Sequence, residues 1–165
     1  VPPSTVAQDR RASRCIRPIT AYLFQPQNER IRKTANLVIF EDVQVYLSIC
    51  VRRLRRIEGV SIPHKKTVHS LDAAIQLFRR LRPEIVITDL SLTTHARTDG
   101  IDILNEIKRL SSDTPVALAT SYSPGSADAI TQTIQRAGFD AIFNKSDIAA
   151  MACFVRANAA RIRFG

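Results

Sequence analysis

The stretch IVITDLSLTTHARTDG, residues 85–100, sets the reading of the whole chain. Four residues of high strand propensity run into Asp89, a polar segment follows, and a helix is expected to open at Asp99-Gly100. A buried strand that ends on a carboxylate suits an open parallel sheet, where chemistry is placed in the crevice outside the carboxyl ends of the strands.

The flanking sequence extends the pattern in both directions. Upstream, Ser70 is suited to cap a helix with Leu71, Ala74, Ile75, Phe78 and Leu81 facing inward, and Pro83 breaks that helix before EIVITD. Downstream, GIDILNEIKRL predicts a helix that buries Ile103, Leu104, Ile107 and Leu110. NLVIF (36–40) reads as a strand, and Val43, Tyr46, Leu47, Cys50, Val51, Leu54 and Ile57 then recur at helical spacing. Arg52, Arg53, Arg55 and Arg56 fall on the polar side of that helix. VSI (60–62), PVALAT (115–120) and AIFNK (141–145) supply further strands. A helix is expected over 126–137, with Ala127, Ile130, Ile134 and Ala137 inward and Thr131, Gln132, Gln135 and Arg136 as polar positions. Gly138 suits the position just past that helix, and Ser146 or Asp147 can cap the last one. Regular alternation of apolar strands with amphipathic helices predicts an α/β fold, a five-stranded parallel sheet covered by helices on both faces. One domain is expected over residues 36–163.

Residues 1–35 read differently, as a basic leader, partly disordered or carrying one extra strand in CIRPITAYLF (15–24). The formal charge of +9 is concentrated there: residues 1–35 hold seven Lys or Arg against two Asp or Glu, and the remaining chain holds seventeen against thirteen. No zinc-finger spacing, arginine-rich repeat or aromatic RNA-binding pattern accompanies the charge, so no direct nucleic-acid contact is expected from residues 36–163. Of the three cysteines, Cys50 and Cys153 lie among apolar helical positions and read as small core residues, and Cys15 as an exposed thiol. No apolar run approaches the roughly 20 residues that span a bilayer, and cytoplasmic residence is the expectation.

On this fold Glu41 and Asp42 follow the first strand, Asp89 ends the third, Thr120 the fourth and Lys145 the fifth, all at the carboxyl edge. Singly, each has an ordinary use: Asp89 as a loop anchor, Glu41-Asp42 as a helix cap, Thr120 as a loop-backbone partner, Lys145 as a solvated charge. Together they form an electrostatic site. Clustered carboxylates repel unless a cation neutralises them, and Mg²⁺, with Mn²⁺ as the alternative, takes oxygen ligands of this kind. Asp42 and Asp89 are the expected direct ligands, Glu41 binds directly or through water, and the Ser91 backbone carbonyl completes the set. With the charge neutralised, Asp89 can attack an electrophilic phosphoryl group, while Lys145 and Thr120 stabilise its oxygens. Such phosphoryl acceptance is not conventional enzymatic turnover. His95 in the polar segment, His64 and His69 read as surface or cap-neighbouring residues outside the metal set.

Residues 36–160 resemble the receiver domain of two-component response regulators. VIFEDV carries the acidic pair, IVITDL the acceptor, ALATS the hydroxyl and IFNKSD the lysine. TDLSL followed by DGIDIL resembles receivers found upstream of helix-turn-helix output domains. The resemblance implies a doubly wound sheet in the order 2-1-3-4-5 and Asp89 phosphorylated by a histidine kinase or phosphotransfer protein. It also implies Glu41 and Asp42 at the magnesium site, Thr120 sensing the phosphoryl group and Lys145 as its charge partner.

The chain departs from the family pattern at three places. LTTHART replaces the usual Met-Pro and lengthens the loop before Asp99-Gly100, which implies altered access to the acceptor. Ser146 stands where the family has a proline, often joined by a cis bond, so a trans bond would reshape the loop after Lys145 and a cis bond would need compensation. Ile142 occupies the position of the family's aromatic switch residue, with Phe143 beside it. The reading is a phosphorylatable receiver that controls transcription or association, as a conditional homodimer or through an output domain not evident in this sequence. The rival is a phosphorylation-independent interaction module on the same fold.

Overall fold

Strand and helix alternate along the whole described chain in a computed structural model, which describes residues 33–93, 98–121 and 129–164. The order is β1 (Ala35–Phe40), α1 (Gln44–Leu54), β2 (Val60–Ser61), α2 (Leu71–Leu81), β3 (Ile85–Asp89), α3 (Asp99–Leu110), β4 (Val116–Thr120), α4 (Ala129–Arg136), β5 (Ala141–Asn144) and α5 (Ile148–Phe164). The strands form one parallel five-stranded sheet in the order β2-β1-β3-β4-β5, as expected. The leader through residue 32, including the possible strand in 15–24, lies outside the described residues, as do His95 and the expected start of α4 at Ser126 with Ala127.

Side chains of a strand alternate between faces, and here each set meets its own helical layer. Leu37, Ile39, Ile85, Ile87, Ala117 and Ala119 pack with Leu47, Cys50 and Leu54 of α1 and Met151, Val155 and Ala159 of α5. The alternate residues Val38, Phe40, Val86 and Val116 pack with Ile75 and Phe78 of α2 and Ile103, Leu104 and Ile107 of α3. Leu118 joins Leu90 and Ile134 of α4, with Ile142 against them. Both faces of the central strands β1, β3 and β4 are thus removed from water, which is what continuous apolar runs such as LVIF require.

Local signals set the helix ends. The Ser70 hydroxyl accepts the Ala73 N–H at 3.2 Å, and the Asp147 carboxylate accepts the Ala150 N–H at 2.9 Å, so Asp147 caps α5. Helix α2 closes on Arg82 in a left-handed conformation (φ +44°), with Pro83 beyond it, and Gly138 follows α4 at φ +86°. Among the described residues, no helix is long and apolar enough to cross a membrane.

Five side chains depart from their expected places. Val43 is 49% exposed because it precedes the first turn of α1, and Leu110 is 38% exposed because it is the last residue of α3. Cys153 is exposed, since the buried stripe of α5 runs through Met151, Val155 and Ala159. Thr131 of α4 is buried rather than on a polar face. His64 is half-buried, and its Nε2 is enclosed with no hydrogen-bond partner among the described residues. His69 is exposed, as expected, beside the Thr67 hydroxyl at 2.9 Å.

Candidate functional site

Sheet register assembles the site. Phe40 stands opposite Thr88, so the next residues along the two strands, Glu41 and Asp89, emerge side by side. Asp89 stands opposite Ala119 and Thr120 opposite Asn144, which brings Thr120 and Lys145 to the same edge. The Lys145 N–H donates to the Thr120 carbonyl at 2.9 Å and fixes the start of the lysine's path.

Lys145 crosses to the centre of this edge. Its Nζ lies 2.7 Å from Asp89 Oδ2 and 2.8 Å from Glu41 Oε2, and donates to Glu41 Oε1 at 3.0 Å. The Glu41 side chain is 1% exposed, that of Asp89 12% and that of Lys145 17%, so one ammonium bridges two carboxylates largely withdrawn from water. The other Asp89 oxygen accepts the Leu90 N–H at 2.7 Å, and Glu41 Oε1 accepts the Val43 N–H at 3.1 Å. Glu41, Asp42 and Asp89 each offer an oxygen, and these oxygens lie within 4.8 Å of one another. The Thr120 side chain is buried beside the cluster's strand, and Ser91 lies in the turn beyond Asp89, its hydroxyl donating to the Thr93 carbonyl at 2.7 Å.

Burial pushes the Glu41 and Asp89 carboxyls above their ordinary range, against the opposing hydrogen bonds from Lys145. Burial also works against the Lys145 ammonium, yet its bonds to Asp89 and Glu41 outweigh that effect and hold its pKa above the ordinary lysine value. Lys145 holds two of the carboxylates, and the third, Asp42, offers an oxygen within 4.8 Å of theirs. The donor set is all oxygen, and among the described residues one ammonium is set against three carboxyls, which fits a hard divalent cation.

The turn after Asp89 is held by residues whose part the sequence did not disclose. The Asp99 carboxylate, buried at the start of α3, accepts the Leu92 N–H at 3.1 Å and the Thr93 hydroxyl at 3.3 Å. The Gly100 N–H donates to the Leu90 carbonyl at 2.9 Å. Tyr46 of α1, expected only as a core position, also lies with its ring 4.8 Å from Lys145 Nζ. The peptide bond between Lys145 and Ser146 is trans, and the lysine still reaches both acids. The Ser146 N–H and hydroxyl are both taken up by the Asn144 side-chain oxygen, at 2.9 and 2.7 Å. Ile142 points to the α4 side of the sheet, and Phe143 to the other, where its ring meets Phe154 edge-on at 5.8 Å.

Comparison with known proteins agrees with this geometry. No curated protein sequence matches the chain. Among solved structures, a DNA-binding response regulator of the LuxR family from Staphylococcus aureus superposes with a TM-score of 0.61 at 21% identity, covering 76% of this chain and 98% of that one. The signal receiver domain of the response regulator NarL from Mycobacterium tuberculosis gives 0.63 at 17% identity, covering 78% and 98%. The isolated receiver domain of RcsB from Salmonella enterica serovar Typhimurium, solved with the phosphomimetic BeF₃⁻, gives 0.60 at 20% identity, covering 79% and 99%. At these identities the superpositions speak for the fold. The family model for the response regulator receiver domain matches residues 37–154, and the chain belongs to that family.

Proposed function

We propose that Asp89 accepts a phosphoryl group from the phosphohistidine of a histidine kinase or phosphotransfer protein. The observation that carries this reading is the bridge from Lys145 Nζ to Asp89 and Glu41 inside a three-carboxylate cluster. An Asp89 carboxylate oxygen attacks phosphorus, a P–O bond forms, the P–N bond of the donor breaks, and the imidazole leaves with its electron pair. Lys145, charged, meets the phosphoryl oxygens as they approach, and the Thr120 hydroxyl donates to one of them. Glu41, Asp42, Asp89 and the Ser91 carbonyl are the groups to hold Mg²⁺, or Mn²⁺ in its place. The ion, when bound, neutralises charge that would otherwise repel the incoming group.

In the same reading, residues 36–163 form the receiver unit, a cytoplasmic switch whose phosphorylation changes association, through a conditional homodimer, or drives a transcriptional output. The LuxR-family and NarL likenesses support the transcriptional branch. Residues 1–35 are assigned as a basic leader, except that Ala35 already opens β1.

Intact-mass analysis after exposure to a small acyl phosphate tests the acceptor. Wild type should gain one phosphoryl mass in Mg²⁺, with little gain in chelator, and D89N should gain none. Equal adducts on both proteins would remove Asp89 from the role. Partner binding that is identical in wild type and D89N, with no adduct on either, would favour the phosphorylation-independent module instead.

A further inference from the structure

We propose that Tyr46 is a positioning residue for Lys145, its ring face acting as the third wall that holds the ammonium between Asp89 and Glu41. The inference rests on the phosphoryl-acceptor reading, because it concerns the group that meets the phosphoryl oxygens.

A lysine is a flexible stem carrying a compact charge, and two carboxylates on the same side of it leave the ammonium free to swing outward. In this chain the peptide bond after Lys145 is trans and is followed by Ser146, so no ring next in the chain restrains the lysine. The restraint comes from another element. The Tyr46 ring lies 4.8 Å from Nζ, within reach of an attraction between a cation and the ring's negative face, which strengthens as water is excluded. Tyr46 itself packs against the core beneath α1 and α5, whose members include Leu47, Cys50 and Met151. The ring is thereby a fixed surface, and it transmits the rigidity of the core to the lysine.

The hydroxyl contributes nothing to this. Tyr46 Oη is buried, makes no hydrogen bond of ordinary geometry among the described residues, and has the weakly polar Cys50 thiol as its neighbour. A hydroxyl enclosed with so weak a partner adds little to the folded state, so the part of Tyr46 that benefits the site is the ring. Phenylalanine should therefore replace it, and leucine, with similar apolar character but no π face, should not.

Two measurements on the full chain decide the matter. The first is the initial rate of adduct formation from acetyl phosphate in Mg²⁺ for wild type, Y46F and Y46L, each also combined with K145M. Y46L should be slower by about tenfold, with Y46F restoring the rate, and Y46L should have no further effect once Lys145 is gone. A Y46L rate equal to wild type, or an equal Y46L penalty with and without Lys145, overturns the proposal. The second needs no phosphorylation: NMR of the free protein should show the Lys145 ε-methylene protons displaced by the ring current in wild type and Y46F, and at ordinary positions in Y46L. Ordinary positions in wild type also overturn it. Should wild type take no adduct while the ring-current displacement is present and Y46L abolishes it, the acceptor reading fails and the placement of Lys145 by Tyr46 stands.

Discussion

Gly100 packs so closely on the backbone of Asp89 that a Cβ at position 100 would overlap the Asp89 carbonyl oxygen. The contact is with backbone, which cannot swing aside as a flexible side chain would. The G100A variant must therefore shift either α3 or the turn that carries Asp89. We expect a loss of about 1–3 kcal/mol of stability, together with slower labelling of Asp89. Urea denaturation and the acyl-phosphate rate check this, and a G100A protein with the wild-type midpoint would show that the turn yields freely.

Asp99 holds the same turn from below. Its buried carboxylate accepts the Leu92 N–H, and alanine would leave that donor enclosed without this acceptor. D99A should cost about 1–3 kcal/mol, and D99N less, because an amide oxygen can still accept. Hydrogen exchange at the Leu92 amide is the direct measure. Protection in D99A as strong as in wild type would mean that the loop is held by other contacts.

How much of this was legible in the sequence follows from which signals are local. Strand and helix periods, joined by a cap signal at Ser146 or Asp147 for the last helix, located all ten elements, because runs such as LVIF and the spacing of Leu47, Cys50 and Leu54 encode burial directly. The edge position of Glu41, Asp89, Thr120 and Lys145 followed from strand ends alone. Periodicity fails at helix termini, which is why Val43 and Leu110 are exposed, and it fails when the stripe is placed wrongly. Cys153 is two residues from Met151, roughly 200° around the helix, and so faces water. The Tyr46–Lys145 contact joins residues almost a hundred positions apart, and no local pattern announces it. Asp99 likewise reads as an ordinary first-turn acid until the loop it holds is seen.

His64 makes stability sensitive to mild acid. Burial lowers its pKa below the ordinary histidine value, opposed by a backbone hydrogen bond at Lys66 and aided by the charges of Arg80 and Lys66. The unfolded chain therefore binds this proton more readily than the folded one. The contribution is complete above the unfolded value of about 6.5, and is lost as pH falls through the lower folded value. Comparing wild type with H64Q by urea denaturation from pH 7.5 to 5 isolates the effect. The wild-type curve should fall more steeply below pH 6.5, and parallel curves would refute it.

Lys145 is the only positive group that the described structure places on the Asp89 and Glu41 carboxylates, and K145M removes it while keeping much of its length. Leaving buried charges without their partner costs about 3–5 kcal/mol in comparable settings. The two carboxyls, already pushed up by burial, lose the hydrogen bonds that opposed it. Their folded pKa values then exceed the unfolded ones by more, the folded state binds extra protons, and K145M should gain stability relative to wild type as pH is lowered from 7 toward 5. A divalent cation that binds the folded cluster stabilises it by mass action, so Mg²⁺ should raise the melting temperature of both proteins, and of K145M by more. Thermal unfolding in Mg²⁺ and in EDTA reads both effects. If K145M melts with wild type in EDTA and neither protein responds to Mg²⁺, then Glu41, Asp42 and Asp89 do not form the charged cluster that a phosphoryl acceptor requires.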